Sequence, residues 1–160
     1  MQPYLIFKAI HLLAVVLFLG NIITGLFWMR IARGTSNVTI MHHAISGIIK
    51  SDKFFTIPGV VIITAAGMTA AINGGLPLLK TGWIFWPIIL FSLSGIFFGI
   101  KVAPLQKRMN NFLKKEYDPD LSRFDRIMKS WEFWGLLSLL TPVVAFFMMI
   151  LKWPLISPLN

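Results

Sequence analysis

Residues 4–29 read YLIFKAIHLLAVVLFLGNIITGLFWM, an apolar run in which Lys8 is the one formally charged side chain. A helix rising about 1.5 Å per residue needs about 20 such residues to cross a hydrocarbon core of about 30 Å, and this run is longer than that. Three further runs follow, over 54–72, 83–103 and 131–151. Hydrocarbon offers backbone N–H and C=O groups no partner, so segments of this length must be helical, and the alternating strands a barrel would need are absent. The first run is expected to be retained rather than cleaved. Its apolar stretch is too long for a signal peptide, the stronger positive charge follows it at Arg30 and Arg33, and no small-x-small site comes after it. The sequence therefore predicts an all-α polytopic membrane protein, a single transmembrane domain over 1–160 folded as a four-helix bundle.

Composition agrees. Hydrophobic residues make up 56% of the chain and charged residues only 13%, with a mean hydropathy of +0.75. A net charge of +9 would suggest nucleic acid in a soluble protein, but its placement gives another explanation. Arg30, Arg33, Lys50 and Lys53 surround the connection 30–53, and Lys101, Lys107, Arg108, Lys114, Lys115, Arg123, Arg126 and Lys129 surround the connection 104–130. The connection between them, Asn73 to Gly82, holds only Lys80. Basic residues concentrate in cytoplasmic loops, so both basic connections are expected inside and both termini outside. The charge reads as a topology signal with no nucleic-acid partner. The lipid bilayer is the expected partner, with anionic head groups in reach of Lys107 to Lys129. Absence of cysteine removes disulfides, thiolate metal sites, iron–sulfur clusters and thiol nucleophiles together.

Tryptophans mark the expected interfaces, with Trp28, Trp131 and Trp134 toward the basic side and Trp83, Trp86 and Trp153 toward the other. Between the first two spans, Val38, Met41, Ala44, Ile45, Ile48 and Ile49 recur at helical spacing, which predicts a short amphipathic helix over Asn37 to Lys50 lying in the inner interface. A second helix is expected from Pro104 to Tyr117, ended by Asp118-Pro119, with helix resuming over Leu121 to Lys129. Small residues let helices approach closely in lipid. Ser92, Gly95 and Gly99 in the third span and Ala66, Gly67, Ala70 and Ala71 in the second are expected to build the bundle. Pro58 reads as a first-turn proline and Pro142 as a kink in the last span.

Any chemistry concentrates on His11, about two turns into the first span and on the order of 10 Å below the outer boundary. Ionisable residues at such depth commonly face the bundle interior and mark cofactors, ion paths or relays; the structural alternative is a neutral histidine bonded to a backbone carbonyl between helices. Lys8, one turn earlier, can snorkel outward and set a positive charge beside an anionic ligand such as a porphyrin propionate. A haem needs one or two axial ligands, and Met68, Met148 and Met149 lie near the depth of His11 as candidates for the second. Asn21 and Thr24 are expected to hydrogen-bond across a helix interface. His42 and His43 diverge by about 100° and read as a solvated pair. Phosphate loops, hydrolase constellations and paired intramembrane carboxylates are absent.

The stretch Lys8-Ala9-Ile10-His11-Leu12-Leu13-Ala14-Val15-Val16, running to Gly20-Asn21 and Trp28, resembles the opening of a family of uncharacterised four-span integral membrane proteins of bacteria. Asp52 to Phe55, Pro58-Gly59, Trp83, Leu93-Ser94-Gly95 and Pro104 with Gln106 are similar to its later landmarks. The Lys-x-x-His opening and Lys152 after Met148-Met149 also resemble HemJ-type protoporphyrinogen oxidases and CopD-like copper-resistance proteins. The first resemblance implies a bacterial cytoplasmic (inner) membrane location. The HemJ likeness implies a b-type haem with His11 as ligand or catalytic residue; this chain has Lys152-Trp153-Pro154 where those proteins end in Lys-Pro. The expectation is a b-type haem protein of membrane redox chemistry, its site formed by His11, Lys8, Met68, Met148 and Met149. A noncatalytic subunit or assembly factor of a larger membrane complex, and a copper-handling protein, stand as alternatives. Whether the chain is an enzyme is left open.

Overall fold

The computed structural model describes residues 3–115 and 120–156. The chain forms α1 (Pro3–Gly34), α2 (Val38–Ser51), α3 (Ile57–Asn73), α4 (Gly82–Phe97), α5 (Ala103–Lys115) and α6 (Leu121–Leu151). The end of α5 expected at Asp118-Pro119 lies outside the described residues.

Two of the junctions are not loops. A π-helical turn, Asp52–Thr56, joins α2 to α3, and another, Phe98–Val102, joins α4 to α5. The result is four long apolar helices, Pro3–Gly34, Val38–Asn73, Gly82–Lys114 and Leu121–Leu151, each long enough to cross a membrane. Each continues past the apolar run that announced it, and the basic residues decorate these extensions.

Local chemistry sets the helix starts. Asn37 caps α2 by accepting from the backbone N–H groups of Thr39 at 2.9 Å and Ile40 at 3.2 Å, and Asp120 caps α6 by accepting from Ser122 at 2.9 Å and Arg123 at 3.4 Å. Pro58 sits in the first turn of α3, where its missing N–H costs least. α6 runs through Pro142, which is buried.

The helices pack as two pairs in the apolar half, α1 with α3 and α4 with α6, while α2 meets α5 and α1 at the basic end. The short amphipathic helix expected in the first basic connection is present as α2, and its apolar face packs on protein: Met41, Ile45 and Ile48 are buried against Met29, Val102, Met109, Phe124 and Trp131 in the main core. Burial against side chains removes the same apolar area from water that lipid would, and α5 and α6 are there to supply it. Trp131 is likewise no interface anchor, being only 2% exposed, whereas Trp28 and Trp153 stay outside.

The small-residue face of the third span, which runs from α4 into the second π turn, is corrected. Gly95 and Gly99 are exposed with nothing within 4 Å of where a β-carbon would stand, and Ser92 is exposed with them. Close approach is made elsewhere. A β-carbon on Gly82 would run into the carbonyl oxygens of Pro154 and Ile156, where the chain after α6 folds back over the start of α4. Gly59 and Gly67 of α3 receive side chains from α1.

Candidate functional site

Tyr4, His11 and Phe18 recur every seven residues along α1 and so share one face. Opposite them stand Gly74, Gly67 and Gly59: a β-carbon on each would meet, respectively, the Tyr4 ring at 3.0 Å, the His11 imidazole at 2.8 Å and Phe18 at 3.5 Å. Three ring side chains thus lie against Gly59 and Gly67 of the antiparallel partner helix and Gly74 at its C-terminal cap, and His11 is the middle rung. It is half-buried, and its Nδ1 lies 2.8 Å from the carbonyl oxygen of Ile63. Nδ1–H donates to that oxygen, which leaves Nε2 as the lone-pair nitrogen. This is the interhelical bond of the structural alternative, and it is also the arrangement that orients an imidazole ligand.

Around this rung the other expected residues are dispersed. Lys8 is exposed and its Nζ sits 5.7 Å from the centre of the Tyr4 ring. Met68 is 45% exposed, turned away from the ladder, while Met148 and Met149 are half-buried on α6. Among the described residues no group of three His, Cys, Asp or Glu side chains gathers to hold a metal ion. A groove of about 380 Å³ opens at this end of the bundle between Tyr4, Asn73, Gly74, Leu76, Trp83 and Lys152. Lys152 lies over the Trp83 ring, 5.9 Å from its centre, so a second lysine flanks the groove.

A second constellation was not expected. Asp52, in the first π turn, is only 7% exposed and accepts three side-chain hydrogen bonds. Asn21 Nδ2 donates to Oδ1 at 2.9 Å, Thr56 Oγ1 donates to Oδ1 at 2.7 Å, and Gln106 Nε2 donates to Oδ2 at 2.8 Å. Asn21 also donates to Thr56 Oγ1 at 2.9 Å. One carboxylate therefore joins α1, the α2–α3 helix and α5. Asn21 does cross an interface as expected; Thr24 does not, since its hydroxyl returns to the Gly20 and Asn21 carbonyls of its own helix. The sequence offered two signals for this site: after Asp52 the next acidic residue is Glu116, and Asn21, Asp52 and Gln106 all lie in the stretches that carry the family resemblance. Beside the cluster Ser94 Oγ donates to the Ser138 carbonyl at 2.6 Å, tying α4 to α6.

His42 is half-buried and His43 exposed, both away from these groups. At the basic end Arg33 pairs with Asp125 through two contacts, and Arg30 meets Glu132 at 3.1 Å.

Residues 5–153 match the family described as predicted integral membrane protein, DUF2269. The chain belongs to this family. With four candidate spans it is an integral, multi-pass membrane protein, and its apolar helix faces contact lipid. Exposed Leu13, Val16, Val61, Ile100, Phe133, Leu140 and Phe147 are the side chains such a family presents to a bilayer. No curated protein and no solved structure matches the chain significantly.

Proposed function

We propose that this DUF2269 protein binds a b-type haem through His11 and serves in membrane redox chemistry. The single observation supporting this reading is the His11 ring itself, whose Nδ1–H is committed to the Ile63 carbonyl at 2.8 Å while Nε2 remains a ligand nitrogen. The donor chemistry fits one axial position: an imidazole fixed in tautomer and orientation by a carbonyl bond is how protein ligands to iron are held. A bound haem would supply one-electron transfer. Lys8 and Lys152, near the groove at this end, would pair with the propionates, and the half-buried Met148 or Met149 could complete the iron's second position. Phe18 fills the neighbouring rung against Gly59 without any nitrogen, and Nδ1 of His11 is taken by the Ile63 bond, so Nε2 is extra to the helix contact.

The basic extensions of the helices lie on the cytoplasmic side of the bacterial inner membrane in this reading, with both termini outside. The test is an optical spectrum of protein purified from cells supplied with haem, oxidised and then reduced with dithionite. A Soret band that shifts on reduction is expected; its absence sinks the proposal.

A second reading is favoured by the exposed Ser92, Gly95 and Gly99 face, which no helix among the described residues covers. It is the face on which another membrane helix would pack if the protein were a noncatalytic subunit of a larger complex. Native-membrane crosslinking from position 96 distinguishes this reading, because capture of a different membrane protein supports it and lipid adducts alone oppose it.

A further inference from the structure

The polar cluster at Asp52 borders a small space between the helices, and one residue of its wall carries an unanswered donor. A cavity of about 20 Å³ is lined by residues of all four long helices, among them Asn21, Asp52, Gln106, Trp131 and Ser138. Both π turns reach it, the first through Asp52 and the second through Phe98 and Val102. Trp131, 2% exposed, is part of its wall, and the indole Nε1 is buried without a hydrogen-bond partner among the described residues. Leaving such a donor unpaired costs on the order of 1–3 kcal/mol, so it calls for an acceptor.

Size and chemistry select the occupant. A space of this volume admits one water, which needs roughly 10–15 Å³ measured the same way, and nothing with several heavy atoms. A cation would be repelled by the Trp131 N–H, and an anion by Asp52. Water alone can accept from the indole and donate toward the carboxyl cluster. We propose that the cavity holds one water molecule linking Trp131 to the Asp52 cluster, and that Asp52 with this water is a proton-loading site at the base of the membrane-spanning bundle.

The surroundings suit that role. Among the described residues Asp52 is the only ionisable one lining the cavity. It is faced by Asn21 from α1, Thr56 from its own turn, Gln106 from α5, and Trp131 and Ser138 from α6, all neutral. The nearest cations in sequence on the packed elements, Arg30 of α1, Lys50 and Lys53, Lys101 and Lys107, and Lys129 of α6, are all exposed. With no buried cation to hold the charge in place, the carboxylate can take a proton from bulk water at the basic end and return it there; one O–H bond forms on Asp52 and the same bond later breaks. Irregular π turns recur where helices carry function, and here two of them border one cavity. His11 lies ten positions before Asn21 on α1, about 15 Å along the helix, so this site stands whether or not the haem proposal does.

Two measurements on the full-length protein in lipid nanodiscs test this. In the first, nitrogen-15 spectra of the indole groups should give an exchange or Overhauser cross-peak between the Trp131 Nε1 proton and water, assigned by its loss in Trp131→Phe. An indole proton without that cross-peak overturns the bound water. In the second, infrared difference spectra over the pH range in which the protein stays folded should show a carboxylic C=O band that appears on acidification and is lost in Asp52→Asn. In Trp131→Phe, which keeps an aromatic ring but no N–H at this position, the midpoint of that band should move upward, because the water loses the donor that polarised it toward the carboxylate. A band that survives Asp52→Asn, or a midpoint unmoved in Trp131→Phe, refutes the proton-loading site. If Asp52→Asn does not fold, the Trp131→Phe shift decides alone.

Discussion

Gln106 donates to Asp52 Oδ2 at 2.8 Å, a bond between residues 54 positions apart that fastens one π-interrupted helix to the other. Both groups are buried, so neither can be repaid by solvent when the other is removed. Gln106→Leu is expected to destabilise the bundle by about 1–3 kcal/mol, the usual cost of stranding a buried polar partner. Thr24→Val, whose hydroxyl serves only its own helix, is expected to stay within about 0.5 kcal/mol of the parent. Reversible unfolding in mixed micelles compares the two, and equal effects would argue that the cluster does not hold the helices together.

Glycine positions separate in the same assay. Gly67→Leu forces atoms into the space of the His11 ring, which a β-carbon would already approach at 2.8 Å, and is expected to cost about 1–3 kcal/mol by overpacking. A β-carbon at Gly95 would meet nothing within 4 Å, so Gly95→Leu should leave the isolated chain's unfolding unchanged. Loss of stability in the second variant would place α4 against a neighbour that the monomer does not contain.

These two glycines show what the sequence could convey. Apolar length announced every membrane helix, because the bilayer imposes that length on any chain. The periodicity over Asn37 to Lys50 announced α2 but could not say where its face is spent, since lipid and protein reward the same pattern. A Gly-x-x-x-Gly reads alike on an inner and an outer face, and only the pairing of α1 with α3 decided that Gly67 is used and Gly95 is not. The interhelical carbonyl bond of His11 was legible, as one of two readings, from its place inside an apolar run. Asp52 was not, because its burial depends on Asn21 and Gln106 arriving from 31 and 54 positions away.

Arg33 and Asp125 form a two-point ion pair at the basic end, on side chains that keep 24% and 38% of their exposure. Partial exposure limits such a pair to about 0.2–1 kcal/mol. A double-mutant cycle of Arg33→Gln and Asp125→Asn is expected to return a coupling in that range at low salt and a smaller one at high salt. A coupling that does not change with salt would mean that the pair is shielded in a way its exposure does not suggest.

The His11 rung permits a substitution that parts packing from ligation. His11→Ala removes both at once: it opens a gap opposite Gly67 and deletes the imidazole, so loss of any haem signal from that variant would be ambiguous. His11→Phe keeps a flat ring in the rung, as Phe18 does one heptad further on against Gly59, while removing both nitrogens. The lost bond to Ile63 should cost about 0.5–1.5 kcal/mol, leaving an inserted, folded bundle. If Nε2 ligates iron, His11→Phe loses the Soret band or shifts it strongly despite normal folding, and Met148→Leu or Met149→Leu changes the reduced spectrum only where that sulfur is the second ligand. His42→Ala should leave the spectrum as it was. A parent-like spectrum in His11→Phe would assign the iron to another ligand and leave His11 as packing alone.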